Sequence, residues 1–239
     1  MNKTISKSLL LLEQIVFSGG KAATVKDLSQ LTGWPPSTVS RLLGGLVDAN
    51  LLRKTDRRHF VPGIGLLRLA GMAQQSYPAL KKTRVFLEDL RTETGLSVGL
   101  GILDYANVVY LYHDGPGIGT GLIYPAPAST PGTVLLSALT DQELVKRCPP
   151  EQFPMTHGGY TCTYNEFAKR ITQARQKGYF SLGNSLAVPV THGTNVVAAL
   201  VLYTGDETSV SLEHLQDLEK TAKRLAEATE SRDWWWHIA

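Results

Sequence analysis

Two sets of side chains in the first quarter of the chain have the types and spacing to grip a polyanion. Pro36, Ser37, Thr38, Ser40 and Arg41 fall off an apolar stripe of Val39, Leu42, Leu43, Leu46 and Val47, whose i, i+3, i+4, i+7, i+8 spacing predicts a helix. Ser and Thr hydroxyls donate to phosphate oxygens or base edges, and the Arg fork matches guanine O6 and N7. Arg57 and Arg58 are the second set. They sit in a polar turn between Leu51-Leu52-Arg53-Lys54 and His59-Phe60-Val61, two runs that predict short strands. A hairpin tip of that kind would meet phosphates or a minor groove.

Other chemistries fail on spacing. Gly115, Gly117, Gly119 and Gly121 match neither a dinucleotide nor a P-loop fingerprint, and no helix plainly follows to receive a phosphate. Gly183-Asn184-Ser185-Leu186-Ala187 echoes a nucleophile elbow but precedes a strand instead of a helix. The histidines (His59, His113, His157, His192, His214, His237) show no metal-ligand pairing. Cys148 and Cys162 are too few for a disulfide framework or a zinc set. The reading therefore includes no enzyme, metal or cofactor. Trp234-Trp235-Trp236 reads as aromatic burial of a terminal helix or as an oligomer contact.

The elements that must hold these side chains are legible from periodicity. Leu9, Leu12, Ile15 and Val16 predict a first helix stopping at Ser18-Gly19-Gly20. Thr24 could cap a second, with Val25, Leu28 and Leu31 on one face, before Thr32-Gly33. Pro35 and Pro36 are tolerable only at the start of the third. Helix, helix, four-residue turn, helix and basic hairpin is the order of a winged helix-turn-helix. Charge agrees: residues 1–68 hold ten Lys or Arg against four acids, a net of +6, while the rest nets −3.

At 239 residues, 43% hydrophobic and 19% charged, the chain can bury a core, and no apolar run approaches the roughly 18 to 20 residues of a membrane span. The N-terminus has no signal-peptide pattern, so a cytoplasmic location is expected. Beyond the first quarter, Leu66, Leu67, Leu69, Ala70 and Ala73 predict a short helix ending before Pro78. Val85, Phe86, Leu87 and Leu90 predict another ending at Gly95. Ser97 to Asp104 and Asn107 to Asp114 alternate around Tyr105-Ala106 as a hairpin, with Gly121 to Tyr124 a possible third strand. Thr163 and Glu166 form a capping box for a helix reaching about Lys177. Leu186 to Val190 and Val196 to Tyr203 read as strands, and Leu212, Leu215, Leu218, Ala222 and Leu225 stripe a closing helix.

Lys7-Ser8-Leu9-Leu10-Leu11-Leu12-Glu13, Val25-Lys26-Asp27-Leu28-Ser29, Ser37-Thr38-Val39-Ser40-Arg41-Leu42-Leu43 and Phe60-Val61-Pro62-Gly63 together resemble the IclR-type bacterial transcription regulators. The resemblance implies a two-domain α/β protein. A winged helix-turn-helix over 1–62 would bind DNA, a linker helix would span 63–77, and a GAF-like α/β domain over 78–239 would bind an effector and oligomerise. It implies a homodimer or homotetramer that binds double-stranded DNA at an inverted-repeat operator and a small-molecule effector, and that acts as a repressor. No membrane partner is implied.

The family's ligand contacts fall here on Ser129, Thr130, Thr133, Ser185, Val201 and Tyr203. Where the family has His-Ala-x-x-x-Gly-Lys, this chain has Ala128-Ser129-Thr130-Pro131-Gly132-Thr133, and Pro131 lacks an N–H. No acid follows Gly178-Tyr179, and Val201 and Tyr203 stand where serines are usual. The resemblance thus points away from a small dicarboxylate and toward a less charged, larger or partly aromatic ligand. Two rival functions stay open: an effector-independent regulator whose second domain only oligomerises, and an enzyme that uses the winged helix for assembly.

Overall fold

Threonine and proline punctuate the first 76 residues. In the computed structural model, which describes residues 3–18, 21–115, 123–157, 160–205, 208–230 and 233, helix α1 (Lys3–Phe17) precedes strand β1 (Ala23–Thr24) and helix α2 (Val25–Thr32). Thr24 and Asp27 cap α2 reciprocally. The threonine hydroxyl accepts the Asp27 N–H at 3.2 Å, and Asp27 Oδ2 accepts the Thr24 N–H at 3.0 Å. Pro36 opens α3 (Pro36–Asp48), where its missing N–H costs nothing. Strands β2 (Leu52–Lys54) and β3 (His59–Pro62) form the hairpin, and β1 pairs with the outer side of β3, a small strand that alternation could not reveal. Helix α4 (Ile64–Gln75) ends this unit, Met1–Ser76.

The core of the unit is Leu11, Leu12, Ile15, Leu28, Val39, Leu42, Leu43, Leu46, Leu52 and Phe60. Helix α1 differs from its spacing: Leu11 is buried, while Leu9 and Val16 are exposed. Four consecutive leucines leave the inward face ambiguous, and contact with α3 and β3 decides it. Leu31 also points outward.

The second unit, Tyr77–Ala239, is built on a six-stranded antiparallel sheet. After α5 (Pro78–Thr94), closed by left-handed Gly95, come β4 (Ser97–Asp104), β5 (Asn107–His113) and β6 (Ile123–Pro125). Of the expected third strand, Ile123 and Tyr124 fall in β6, which runs on to Pro125, and residues 121 and 122 lie outside the described set. Helices α6 (Thr130–Ser137) and α7 (Asp141–Arg147) and a small hairpin, β7 (Met155–His157) with β8 (Tyr160–Cys162), lead to α8 (Tyr164–Lys177). Then follow β9 (Phe180–Leu182), β10 (Ser185–His192), β11 (Asn195–Tyr203) and α9 (Leu215–Ala228), which starts after a single tight turn at Leu212–His214.

The strand order is β6-β5-β4-β11-β10-β9. Leu87 and Leu90 of α5 and Leu218, Ala222 and Leu225 of α9 cover one face. Leu135 and Leu136 of α6 with Phe167 and Ile171 of α8 cover the other. The architecture is the expected one, a helix-turn-helix domain followed by an α/β domain. No helix among the described residues is long and apolar enough to cross a membrane.

Candidate functional site

In the first unit the apolar stripe of α3 is spent on the core, which leaves its polar positions outside. Pro36, Ser37, Ser40 and Arg41 are exposed and Thr38 is half-buried. Arg57 and Arg58 are exposed at the hairpin tip, and neither they nor Arg41 makes an ion pair among the described residues. The structure brings Ser40, Arg57 and Arg58 into one cleft of about 450 Å³ with Lys26, Lys54, His59 and Phe60. Pro36, Ser37, Thr38 and Arg41 are not among the residues lining it.

The tip is held by a residue that charge counting passed over. Asp56 Oδ1 accepts the N–H of Arg58 at 2.7 Å and of His59 at 2.9 Å, and Oδ2 meets His59 Nδ1 at 2.7 Å. These bonds, the Arg58 amide first, pull the Asp56 carboxyl down to about 2. An Asx turn of this kind fixes the backbone from which Arg57 and Arg58 project. Asp two residues before Arg58 was its only sequence signal. Lys26 and Lys54 were also missed as members of the cleft, because they come from separate elements.

The second unit treats its expected site residues differently. Thr130 Oγ1 lies 2.5 Å from Ser185 Oγ, and Ser185 donates to the Leu182 carbonyl at 3.0 Å. Thr133 donates to the Ser129 carbonyl at 2.9 Å. Ser129 caps α6, accepting the Gly132 N–H at 3.2 Å and donating to the Ala126 carbonyl at 3.3 Å. Tyr203 shares a short hydrogen bond with Tyr110, and Val201 is fully buried. Ser185 and Tyr203 are cross-strand neighbours, so the residues do converge on one face of the sheet. Their hydroxyls, however, are engaged with one another or with the backbone.

A bulge adds residues that alternation hides. Leu100 pairs with Tyr112 and Gly101 with Tyr110, which leaves Leu111 as the extra residue in β5. Leu111 and Tyr112 pack toward α5 and α9, and Tyr110 and His113 come to share the opposite face. In a regular strand, positions three apart would face opposite ways. Gly99 makes the room: a Cβ there would meet Tyr203 Cε2 and Val201 Cγ1 at 3.0 Å and Tyr110 Cε1 at 3.1 Å.

His113 is 8% exposed. Its Nδ1 accepts the Gly115 N–H at 2.9 Å, which places the ring proton on Nε2, and Nε2 has no partner among the described residues. Burial keeps the imidazole below its ordinary pKa and so neutral, against a smaller opposite push from Asp114. Burial likewise raises Tyr110 and Tyr203, so both phenols stay protonated. An unpartnered buried N–H costs about 1–3 kcal/mol.

Burial pushes both the Cys148 and Cys162 thiols up to about 11, leaving essentially no thiolate near neutral pH. His192 pairs with Thr229 at 2.8 Å and His214 faces Asp217 at 3.9 Å, and no cluster of metal-binding side chains occurs among the described residues. Gly117, Gly119 and Gly121 and the run Trp234-Trp235-Trp236 lie outside the described residues.

Residues 4–56 match the family model of the IclR helix-turn-helix domain. The HTH-type transcriptional regulator TsaQ1/TsaQ2 of Comamonas testosteroni is 33% identical over 109 residues, 45% of this chain and 38% of that protein. The match therefore spans well under half the length of that relative. An IclR homolog from Microbacterium hydrocarbonoxydans, solved in complex with 4-hydroxybenzoate, superposes with a TM-score of 0.76 at 17% identity, over 95% of this chain and 98% of that one. An IclR family transcriptional regulator from Brucella abortus gives 0.74 at 19%, over 95% and 91%. At these identities the likeness establishes a shared fold.

Proposed function

We propose, for a chain whose residues 4–56 are an IclR helix-turn-helix domain and whose whole course has the fold of IclR regulators, that it is a transcription regulator, acting as a repressor. Residues 1–62 bind double-stranded DNA, 63–77 link, and 78–239 bind a small effector and oligomerise. The observation that carries this reading is the exposed set of Ser37, Ser40 and Arg41 on α3 with Arg57 and Arg58 on the clasped hairpin tip, the three arginines making no ion pair among the described residues. Pro36 and Thr38 complete the helix start that faces the groove, with bases read from α3 and phosphates met by the wing.

Two copies are needed, since one small domain reads few bases, and a two-fold dimer matches an inverted-repeat operator. Helix α4 supports self-association: Ile64, Leu67 and Met72 are 73%, 70% and 64% exposed. Selection of bound sequences from a random pool, with sedimentation of the full chain, tests both points. Recovery of inverted repeats by a dimer or tetramer is expected. A monomer that enriches no sequence would overturn the reading.

For the effector, Ser129, Thr130, Thr133, Ser185, Val201 and Tyr203 surround a weakly charged site on the sheet, and 4-hydroxybenzoate in the Microbacterium hydrocarbonoxydans homolog supports a partly aromatic ligand. One observation favours the second reading, a domain that only oligomerises: these hydroxyls already satisfy one another. A ligand-induced rise in melting temperature separates the two.

A further inference from the structure

A second cavity of the second domain, about 280 Å³, opens at the C-terminal end of α6, beside α7 and the β10–β11 turn. Leu103 of β4, Leu135 of α6 and Val196 of β11 belong to its apolar lining. Its polar lining is Glu143 and Arg147 of α7 with Thr194 and Asn195 at the turn. None of the residues proposed above for the effector lines it. Thr130 of that set opens α6 and Ala138, which lines this cavity, follows its end. At about 1.5 Å of rise per residue the two are about 12 Å apart, so the cavity is a separate place in the domain.

Opposite charges stand apart along the α7 wall. Glu143 and Arg147 are four residues apart, the spacing at which such side chains meet on a helix, yet they make no ion pair among the described residues. Each is held elsewhere. Glu143 Oε2 accepts the Thr140 N–H at 2.9 Å and the Thr140 hydroxyl at 2.8 Å, as part of the cap of α7. Those two bonds, the amide first, hold the Glu143 carboxyl below its ordinary range, so it is ionised near neutral pH. Arg147 Nη1 donates to the Tyr105 carbonyl at 3.3 Å, and the Tyr105 hydroxyl donates to the Lys146 carbonyl at 3.0 Å. The β4–β5 turn is thereby tied to the end of α7. Glu143 Oε1, Arg147 Nη2 and the Asn195 side-chain amide make no hydrogen bond among the described residues.

We propose that this cavity binds a free aliphatic α-amino acid, its carboxylate on Arg147 and Asn195 and its ammonium on Glu143 Oε1. The three kinds of lining select a zwitterion with an apolar side chain. A plain carboxylate would meet Arg147 but also the ionised Glu143, and a plain amine would meet the reverse, so each faces a like charge. A guanidinium fork suits a carboxylate, and the Asn195 amide adds a donor. The ligand side chain lies on Leu135, which is buried, and on Leu103 and Val196, which are half-buried. No aromatic ring lines the cavity. Pockets for drug-sized ligands begin at roughly 300 Å³, so this one takes a smaller molecule. The site stands independently of the effector reading, since the two share no residue.

The test is calorimetry on the full chain with L-leucine, 4-methylpentanoate, isoamylamine and glycine. L-leucine is expected to bind at least tenfold tighter than the acid that lacks its amine, the amine that lacks its carboxylate, or glycine, which leaves the apolar floor uncovered. Arg147→Gln and Glu143→Gln, the second still able to cap α7, should each lose at least tenfold for L-leucine. A further measurement needs no variant to fold. On saturation of the 15N-labelled wild type with L-leucine, the Thr194 and Asn195 amide resonances should shift while those of Thr130 and Ser185 stay. Shifts at Thr130 and Ser185 instead overturn the proposal and support the effector reading. Any of the three analogues matching L-leucine, a folded R147Q or E143Q binding it as wild type does, or no binding of L-leucine overturns the proposal and leaves the effector reading standing.

Discussion

The exposed cations of the first domain and the paired hydroxyls on the sheet of the second are both polar, yet they are kept in opposite states. Arg41, Arg57 and Arg58 stand in solvent, with no ion pair among the described residues. Thr130 is held against Ser185, and Tyr110 against Tyr203. A charge meant for a polyanion acts through a long-range field and loses nothing by waiting in water. A hydroxyl facing a small ligand must be dry when the ligand arrives, so it needs a partner meanwhile. The proposed DNA surface is thus set by exposure and charge, and the proposed ligand surface by what each buried donor is paired with.

The sharpest way to break the comparison is to disturb packing under only one of the two surfaces. A Cβ on Gly132 would meet the Ala126 carbonyl oxygen at 2.2 Å, and backbone cannot swing aside as a side chain can. Gly132→Ala should cost about 3 kcal/mol or more in the second domain, as overpacking does. Two-probe denaturation should show the first domain's transition unmoved. A single shared loss would mean the two surfaces are not energetically separate.

Next in size are the bases of the DNA surface. Arg41→Ala should cost about 1–3 kcal/mol at the selected site and relax preference at one position. Arg57→Ala and Arg58→Ala should weaken specific and random DNA alike and each lower the salt slope by about one. Fluorescence anisotropy across a salt series checks both. If all three variants bind as wild type does, exposure and charge were the wrong guides to this surface.

On the buried side, Thr130→Val keeps the shape and removes the bond to Ser185. Ser185 still donates to the Leu182 carbonyl, so a loss of about 1 kcal/mol is expected in chemical denaturation. A loss near zero would show that the pair does not contribute to keeping the site closed.

The smallest effect concerns the clasp. The Asp56 carboxyl is depressed to about 2 in the folded chain, so its bonds are fully present above the ordinary carboxylate range. They are lost as pH falls from about 4 through about 2. The amide resonances of Arg58 and His59 should move together in that window while those of the α3 core stay put. Asp56→Ala at neutral pH sharpens the point. Loosening the tip from which Arg57 and Arg58 meet phosphate should weaken specific and random DNA alike, by less than either arginine variant, and the same anisotropy series checks it.

Most of the elements could be read in advance because their signals are local. Thr24, Thr163, Gly95 and Gly178 act on backbone groups within four residues, and the stripe of α3 depends only on helical period. The inward face of α1 could not be read, since Leu9, Leu10, Leu11 and Leu12 offer every direction and only α3 and β3 choose among them. The candidate base contacts were legible as leftovers of the α3 stripe. Lys26 and Lys54 were not, because they reach the same cleft from elements separated by the whole of α3.

By itself the amino-acid sequence determined the order of elements, the basic first domain and the helix-turn-helix within it, since caps, periods and charge are properties of neighbouring residues. Only the tertiary structure decided which polar groups are still free. A hydroxyl looks like a ligand contact until its partner is known, and Thr130 finds Ser185 across 55 residues while Tyr110 finds Tyr203 across 93. The extra residue at Leu111 turns His113 to the side of Tyr110, and Gly115 claims its Nδ1. Which donor is left over is a difference between all the groups and all their partners, and that difference exists only once the chain has folded.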